Sequence, residues 1–417
     1  MRVAHLLRKY VPAEWGGTET ALQGLAEGLA ANGVRSVAFA PAPETVGADP
    51  LVASGCEVRR FRACVPVWGL SPATRRQMLS VGGNLLSFDL PWLLWREREL
   101  GAIHTHALGR IGGIAGTVAR RRNLPFVVTI HGGVLDLPAT LKQSLNTPAH
   151  SGVEWGRLFG WWWRARHVLA EADAILTCNS READLLHEQY PDRHIVVQPH
   201  GVRTERYRTD RRAAARAAFP VIAGRDILLT VARIDPVKNQ IWLVRQLPRI
   251  VARRPRILLV LTGACTTADY GVELHREIAR LGLADHVLLT GGLPPGDPRV
   301  VGLMQEARVA ILPSLAETFG LVILEAWATG LGVLATRSSG ACSLVRDGEN
   351  GCLYTFDEAG EFHAKLDRML DDPAMFRSLT AAGSQAVLNY DLTRLAARVK
   401  DLYVQLSEEK HPLRHSA

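Results

Sequence analysis

Two glutamates eight residues apart, Glu317 and Glu325, have a setting typical of side chains that bind a polar ligand. The apolar run at 309–313 predicts a buried strand, and a helix is predicted over 320–329. We therefore expect Glu317 in the loop between them and Glu325 inside the helix. In an open α/β sheet, ligands bind at loops that follow the carboxyl ends of strands. The alternative interpretation is a solvated pair of carboxylates at a helix start.

The start of the same predicted helix offers backbone N–H groups that have no partner within the helix. Such groups, aligned with the helix dipole, suit a phosphate or a sugar hydroxyl. They belong to Phe319, Gly320, Leu321 and Val322. Their position beside Glu317 favours a binding loop over a solvated pair.

A second segment carries two cations shortly after a strand. The strand is predicted over 227–232, and Arg233 and Lys238 follow it on a loop that contains Pro236. An arginine fork and a lysine point charge can together bind a diphosphate and stabilise it as a leaving group. Ordinary surface charge is the alternative interpretation.

The paired glycines Gly16 and Gly17 follow the first predicted strand, at 3–7, and precede a predicted helix at 19–32. Glycines let backbone N–H groups approach a phosphate closely, although glycines before helices are common. The fingerprint G-x-G-x-x-G is absent from this segment, which argues against a nicotinamide-dependent enzyme.

Three histidines lie on or after predicted strands. His131 follows the strand predicted over 126–130, where its side chain could form a hydrogen bond with a sugar hydroxyl or a phosphate oxygen; a structural role is the alternative interpretation. His104 and His106 lie two residues apart and so share one face of a strand. That spacing resembles a metal site, but no third ligand is evident in the sequence. We therefore favour a structural role for this pair.

Tryptophan and arginine alternate in two stretches, at 92–98 and 155–166. The most aromatic part is Trp161-Trp162-Trp163. Such stretches are typical of a membrane interface, where the ring is apolar and the cation is solvated. They also fit an acceptor groove or aromatic side chains of a core.

The remaining pattern predicts an α/β fold with two doubly wound, Rossmann-like units, because apolar runs alternate with amphipathic stretches. The first set of strands is predicted at 3–7, 36–40, 102–106, 126–130, 174–178 and 195–197, and the second at 227–232, 257–262, 287–290, 309–313 and 333–336. A polar, arginine-rich segment at 199–222 is predicted to link them. A long amphipathic helix is predicted at 386–406.

Composition restricts the class of protein. No apolar run approaches the length of a membrane-spanning helix, and the scattered cysteines show no metal-binding or disulfide spacing. We expect a reduced, cytoplasmic protein. The net charge of +8 fits an anionic membrane surface or anionic small substrates. Nucleic acid is not expected, because no RNA- or DNA-binding motif is found.

Together these segments resemble the GT-B glycosyltransferases, and in particular the retaining family 4 group, also called glycosyl transferases group 1. The resemblance covers most of the chain and is densest over 226–356. The family's E-x7-E motif corresponds to Glu317 and Glu325, and its R-x4-K pair to Arg233 and Lys238. Its glycine loop corresponds to Gly16 and Gly17, and its strand-end histidine to His131.

The resemblance implies two Rossmann-like domains that face each other across a cleft. The N-terminal domain would comprise residues 1–200 and bind the acceptor, with a C-terminal helix at about 386–410 crossing back to it. Residues 201–385 would bind the donor. The implied activity is retaining transfer of a sugar from a UDP- or GDP-sugar to a hydroxyl of a glycan, lipid-linked or small-molecule acceptor, as in polysaccharide biosynthesis.

The resemblance also implies a role for each matching residue. Arg233 and Lys238 would bind the donor diphosphate, and Gly17 would contact it. Glu325 would bind the ribose, while Glu317 and the helix N–H groups would bind the sugar. His131 would contact sugar or phosphate and, with Glu317, Arg233 and Lys238, take part in catalysis. No metal or cofactor is expected. Peripheral contact with an anionic membrane is expected from the aromatic and basic stretches.

Several positions depart from the family pattern. Gly332 replaces a usual proline, Ser343 a usual glutamate, His200 a usual asparagine and Arg203 a usual acidic residue. These changes affect the expected recognition of the donor sugar. Two other functions fit the same architecture: a sugar-nucleotide epimerase or hydrolase, and a non-catalytic sugar-nucleotide-binding subunit.

Overall fold

A computed structural model describes residues 1–11, 15–42, 49–83, 85–131, 135, 153–293 and 296–411. The chain divides into two compact units. The first comprises Met1–Pro12, Gly17–Gly201 and Leu392–Ala417, and the second comprises Ala13–Gly16 and Val202–Asp391.

The first unit is built on a seven-stranded sheet in the order β3-β2-β1-β5-β6-β8-β9, in which every neighbouring pair is parallel. A short antiparallel pair, β4 with β7, is separate from it. The strands are β1 (Arg2–Leu6), β2 (Arg35–Pro41), β3 (Glu57–Phe61), β4 (Val67–Trp68), β5 (Leu100–Thr105), β6 (Phe126–Ile130), β7 (Val153–Glu154), β8 (Ala174–Thr177) and β9 (His194–Val197). The helices are α1 (Gly17–Ala31), α2 (Pro50–Ala53), α3 (Pro72–Val81), α4 (Leu90–Arg96), α5 (Gly109–Arg121), α6 (Arg157–Trp162) and α7 (Ser180–Gln189).

The second unit has a six-stranded parallel sheet in the order β12-β11-β10-β13-β14-β15. Its strands are β10 (Asp226–Val231), β11 (Ile257–Thr262), β12 (Val287–Gly291), β13 (Ala307–Leu312), β14 (Gly332–Thr336) and β15 (Cys352–Tyr354). Its helices are α8 (Thr204–Arg208), α9 (Arg212–Ala218), α10 (Gln240–Arg253), α11 (Ala268–Arg280), α12 (Pro298–Glu306), α13 (Leu321–Ala328), α14 (Ser339–Leu344), α15 (Ala359–Asp371) and α16 (Pro373–Ala386). This is the doubly wound strand order, and its direction reverses between β10 and β13.

The last helix, α17 (Leu392–Lys410), packs within the first unit against α1. A Cβ added at Gly28 would lie 2.6 Å from Cβ of Ala396 and 2.8 Å from the carbonyl oxygen of Leu392, so the two helices approach at a position that only glycine allows. Val399 and Tyr403 of α17 are buried in the same cluster as Val3 of β1. The predicted return of the C-terminal helix to the N-terminal domain is confirmed.

The predicted α/β fold with two parallel sheets is confirmed, but strands β3 and β15 were missed, and two further segments differ from the prediction. Strand β3 was missed because its sequence, Glu-Val-Arg-Arg-Phe, is polar at an edge position where alternate residues are solvated. The segment predicted as a linker at 199–222 contains α8 and α9. The helix predicted at 386–406 is interrupted, because Asp391 is extended (φ −59°, ψ 125°) between a 3₁₀ turn and α17.

Candidate functional site

The two segments with the strongest motifs meet at the point where the strand order of the second sheet reverses. Arg233 and Lys238 follow β10, and Glu317 follows β13, its parallel neighbour. The carboxyl ends of adjacent parallel strands share one edge of the sheet, and a reversal of strand order leaves a crevice there. Nζ of Lys238 lies 2.6 Å from Oε2 of Glu317, with side-chain exposures of 18% and 21%. The motifs therefore form one half-buried, charged site.

A backbone hydrogen bond joins the loop of Glu317 to the loop of Lys238, and further hydrogen bonds fix the second loop. The N–H of Leu315 donates to the carbonyl oxygen of Val237 at 2.8 Å, which joins the loop of Glu317 to the loop of Lys238. Within the latter, Oδ1 of Asp235 accepts from the N–H of Lys238 at 3.1 Å. Oδ2 of Asp235 lies 3.3 Å from Nη2 of Arg233, whose side chain is 43% exposed. The guanidinium thus remains accessible to an anion, while its backbone is anchored by Gln240.

Gly340 in α14 positions Glu317, a role that the sequence did not assign to it. Its N–H donates to the carbonyl oxygen of Glu317 at 2.7 Å. A Cβ at position 340 would lie 2.4 Å from the backbone nitrogen of Phe319 and 2.7 Å from that carbonyl oxygen. The loop that carries Glu317 therefore rests directly on a glycine backbone. Close backbone approach is a recognised reason for glycine, but one sequence does not reveal where it is needed.

Helix α13 begins at a left-handed Gly320, with φ of 93°. A glycine at this N-cap turns the chain so that the first N–H groups of the helix, at Leu321 and Val322, follow Glu317 closely. Phe319 is buried, with its ring edge-on to Tyr390 at 6.2 Å between centroids. The half-buried start of the helix therefore has a fixed position beside the charged pair.

Glu325 lies one helical turn further on and is partly buried. Its Oε1 accepts a hydrogen bond of 2.8 Å from the hydroxyl of Tyr207 in α8. Burial raises the pKa of Glu325 from 4.5 to about 7, while Tyr207 and the positive charge of Arg206 oppose that shift. Tyr207 was missed by sequence reasoning, because it lies in the segment taken as a linker.

The glycines Gly16 and Gly17 lie at the start of α1, and the surroundings of Gly17 do not constrain it. Gly17 is the first residue of α1, and a Cβ added there would meet nothing within 4 Å. The packing of this chain therefore does not require a glycine at position 17. The start of α1 has open space beside this residue. Gly16 precedes it without regular secondary structure. Residues 12–14 lie outside the described residues.

His131 belongs to a cluster of buried histidines in the first unit. Its Nε2 lies 2.6 Å from Nδ1 of His106, and its ring stacks on His200 with centroids 5.2 Å apart. Nε2 of His106 lies 3.1 Å from Nδ1 of His5. His104 interacts instead with Tyr403 and with Thr129. Gly132 and Gly133 lie outside the described residues.

The expectation that the pair His104–His106 lacks a third potential ligand was wrong. His5, from the neighbouring strand β1, is paired with His104 in the sheet, and the three imidazoles offer ligand atoms within 4.8 Å of one another. However, both ring nitrogens of His104 and of His106 already have hydrogen-bond partners. A metal would have to displace these bonds. Parallel pairing of β1 with β5 is the information that the sequence pattern did not contain.

Comparison with known proteins decides the family. The model of glycosyl transferases group 1 matches residues 212–386, and that of a glycosyl transferase 4-like domain matches residues 16–201. The D-inositol 3-phosphate glycosyltransferase of Thermobispora bispora is 30% identical over 328 residues, 76% of this chain and 73% of that protein. The chain belongs to the group 1 glycosyltransferases. It is therefore an enzyme, and the resemblance to glycosyl transferases group 1 is confirmed.

Solved structures agree with this glycosyltransferase fold. A crystal structure of Anabaena Alr3699/HepE in complex with UDP-glucose has a TM-score of 0.74 at 19% identity and covers 97% of this chain and 100% of that one. Sucrose-phosphate synthase from Thermosynechococcus elongatus has a TM-score of 0.70 at 21% identity, covering 97% and 98%. At these identities the likeness establishes the GT-B fold.

The aromatic stretches of this glycosyltransferase form an exposed surface, so their interpretation as core residues was wrong for most of them. We call this the aromatic surface; it comprises Trp68, Phe88, Trp92, Trp95, Trp155, Phe159, Trp161 and Trp162. Trp161 and Trp162 are 75% and 61% exposed, and no residue of α6 is buried. Only Trp163 packs against the core. Among the described residues, no helix has the length and apolar character needed to cross a bilayer.

Proposed function

We propose that this glycosyltransferase moves a sugar from a UDP- or GDP-sugar to an acceptor hydroxyl with retention of anomeric configuration. The observation that carries the proposal is the Lys238–Glu317 pair at the carboxyl ends of β10 and β13, 2.6 Å apart and beside the start of α13. A cation and a carboxylate side by side can bind the two parts of a nucleotide sugar: the cation binds the anionic diphosphate, and the carboxylate accepts hydrogen bonds from the sugar hydroxyls.

Lys238 and Arg233 bind the diphosphate of the donor. Lys238 is paired with Glu317 before the donor binds, and a diphosphate would take over the ammonium group because it carries more negative charge. Glu317 would then be released to accept hydrogen bonds from sugar hydroxyls. Arg233, 43% exposed, adds a second positive charge. Both cations stabilise the charge that develops on the leaving phosphate.

The remaining part of the donor is the nucleoside. Glu325 lies within α13, and its carboxylate is suited to accept from ribose hydroxyls in place of Tyr207. Gly17, which has open space around its Cα, contacts the diphosphate together with Gly16, and His131 contacts the sugar or a phosphate oxygen. In this scheme no metal or cofactor is needed, because cations and helix N–H groups already stabilise the leaving group.

Retention requires that the acceptor attack the face from which the phosphate departs. The bond between the anomeric carbon and the phosphate oxygen breaks, and a bond from that carbon to the acceptor oxygen forms. The acceptor proton passes to the departing phosphate oxygen, so charge and atoms balance. Arg233 and Lys238 remain on the phosphate throughout and stabilise it as it leaves.

The names of similar proteins indicate which substrates to try first. The related HepE structure contains UDP-glucose, and the curated relatives are named for transfer to D-inositol 3-phosphate. We propose a UDP-sugar as the first donor to test. Acceptors to compare are an inositol phosphate, a glycan and a lipid-linked saccharide. Thermal-shift screening across UDP-, GDP- and ADP-sugars would identify the donor independently, because a ligand stabilises the native state that binds it.

The decisive experiment compares variants of the charged pair with a matched surface variant. Glu317→Ala and Lys238→Ala should each lower kcat/KM for transfer by about 100-fold or more, the size of losing one transition-state contact. Glu349→Ala removes a carboxylate of the same unit that is 68% exposed and should leave turnover unchanged. Near-normal transfer by either site variant would contradict the assignment. Anomeric configuration is read from the product by NMR, which also detects the free or epimerised sugar expected of a hydrolase or epimerase.

We also propose that the aromatic surface binds an anionic membrane or a lipid-linked acceptor at such a membrane. The exposed rings of Trp161 and Trp162 lie among arginines, including Arg157, whose side chain is 85% exposed. Apolar rings with neighbouring cations suit the boundary between acidic headgroups and acyl chains. Helix α6 alone exposes Leu158, Trp161 and Trp162, and neighbouring exposed apolar side chains of this size are typical of a surface that binds a partner.

A further inference from the structure

The buried histidines of the first unit form a chain of hydrogen bonds that ends at His131. Nδ1 of His5 lies 3.1 Å from Nε2 of His106, and Nδ1 of His106 lies 2.6 Å from Nε2 of His131. Both contacts join one imidazole nitrogen to another. Each therefore needs a proton on one nitrogen and a lone pair on the other.

Burial keeps these rings neutral near pH 7. It lowers the pKa of His5 to about 3 and the pKa values of His106 and His131 well below 6.5, and neighbouring histidines lower the latter two further. A neutral imidazole carries one proton, so a donor at one nitrogen is an acceptor at the other. Choosing the tautomer of one ring then fixes the other two.

Only two arrangements keep both hydrogen bonds. In one, all three rings carry the proton on Nδ1, and His5 donates to His106, which donates to His131. In the other, all three carry it on Nε2, and the direction is reversed. In the first, Nδ1 of His131 is a hydrogen-bond donor; in the second, it is an acceptor.

The two ends of the chain differ. Nε2 of His5 and Nδ1 of His131 are buried and have no hydrogen-bond partner among the described residues. His131, together with His106, Thr129 and His200, borders a cavity of about 30 Å³, enough for a water-sized group. His5 does not border it. The ring of His131 therefore borders space for a water molecule or a ligand oxygen, and His5 does not.

The difference between the two ends favours one direction of hydrogen-bond donation along the chain of histidines. With every proton on Nε2, His5 would hold a buried N–H that nothing accepts, and orphaned N–H groups are rarer in proteins than orphaned acceptors. With every proton on Nδ1, His5 has only an unused lone pair, and the N–H belongs to His131, whose ring borders a cavity with room for an accepting water molecule or ligand oxygen. Phosphate oxygens only accept hydrogen bonds, so they fit the arrangement with every proton on Nδ1, in which His131 is a donor.

We infer that His106 and His5 are positioning residues that hold His131 in the Nδ1–H tautomer, so that His131 donates a hydrogen bond to an oxygen of the bound sugar nucleotide. The assignment of that ligand rests on the proposed function, whereas the tautomer does not. His104 is outside the chain, because Tyr403 and Thr129 occupy its two ring nitrogens at 2.5 and 2.6 Å.

The first test reads the tautomer directly. In protein labelled with ¹⁵N-histidine, the ring nitrogens of His131, assigned from their absence in His131→Phe, should show a protonated Nδ1 and an unprotonated Nε2. In His106→Leu the signals should move toward the Nε2–H form, which a free imidazole prefers. A protonated Nε2 in the unsubstituted protein, or no change in the variant, would overturn the inference. So would stoichiometric zinc in the purified protein, because the facing nitrogens would then be metal ligands.

The second test is kinetic and uses the donor that supports transfer. His106→Leu should lower kcat/KM by about 10- to 100-fold, as loss of a group that orients a functional imidazole does. His106→Asn, whose amide takes the place of Nδ1, should recover most of this loss. His187→Asn, at an exposed histidine of α7, is the matched control and should behave like the unsubstituted protein. Equal losses in His106→Asn and His106→Leu, with both folded by circular dichroism, would contradict a positioning role.

The two tests separate this inference from the proposed function. If the unsubstituted enzyme transfers no sugar but His131 shows the Nδ1–H tautomer that depends on His106, the proposed function fails and the positioning role stands. If transfer is efficient but the tautomer does not depend on His106, the proposed function stands and the positioning role fails.

Discussion

At the scale of single residues, Glu325 shows how burial changes the chemistry of a side chain. Its motif position predicted a carboxylate, but partial burial beside Tyr207 raises its pKa to about 7. Near neutral pH the group is therefore divided between its protonated and ionised forms. The ionised form can accept a hydrogen bond from a ribose hydroxyl at each oxygen, whereas in the protonated form one oxygen carries a proton and acts as a donor. The sequence shows that a glutamate is present at position 325. Its pKa, however, depends on burial where α8 packs against α13, which only the structure shows.

This raised pKa predicts an unusual dependence of stability on pH. The folded state holds the Glu325 proton up to about pH 7, but the unfolded chain releases it near 4.5, so the contribution to stability falls as pH rises between these values and is constant above them. Relative to Glu325→Gln, the enzyme should lose about 2 kcal/mol of unfolding free energy between pH 5 and 8. Urea denaturation of both proteins at four pH values checks this. A constant difference across that range would refute the raised pKa.

At the scale of elements, the loop of Glu317 depends on helix α14, whose contact with that loop the sequence did not predict. Sequence pattern placed β13 and α13 on either side of that loop correctly, because a buried parallel strand and a capped helix have strong local signals. The hydrogen bond from Gly340 to Glu317 comes from α14, twenty-three residues later in the chain. Such a contact follows from the packing of successive elements and leaves no local trace in sequence.

Gly340→Ala tests this support. The added methyl would lie 2.4 Å from the nitrogen of Phe319, so the loop has to move. We expect kcat/KM to fall by about 100-fold, since displacement by an ångström at a catalytic group has that effect. Gly360→Ala in α15, where a Cβ meets nothing within 4 Å, is the control and should be as active and at least as stable. Activity of Gly340→Ala equal to that of the control would show that the loop is not held in this way.

At the scale of the whole molecule, charge and exposed aromatic side chains act together. The net charge of +8 attracts the chain to acidic surfaces at long range, while the aromatic surface supplies apolar contact at short range. The sequence showed both the charge and the tryptophans. It did not distinguish a core from a surface, because tryptophan is common in each.

Membrane binding is predicted to need both contributions. The enzyme should sediment with liposomes of anionic phospholipid at physiological salt and not with neutral liposomes. Trp161→Ser should weaken binding by about tenfold, which corresponds to ~1.4 kcal/mol for a partly inserted ring. Val272→Ser, at a residue of the second unit that is 49% exposed, should bind as the unsubstituted enzyme does. Equal sedimentation with anionic and neutral liposomes, or no effect of the Trp161 substitution, would contradict the proposal.

The sequence by itself determined the fold class, the family and the residues of the charged pair. Periodicity is local, and motifs such as Glu317–Glu325 and Arg233–Lys238 are short enough to be read without a structure. Tertiary structure alone brought Lys238 onto Glu317, placed Tyr207 on Glu325, and put His5 beside His104 and His106. The separation along the chain is 79 residues for Lys238 and Glu317, 118 for Tyr207 and Glu325, and 101 for His5 and His106. Parallel strands are joined by long crossovers, so which side chains become neighbours at a sheet depends on strand order, a property of the whole unit.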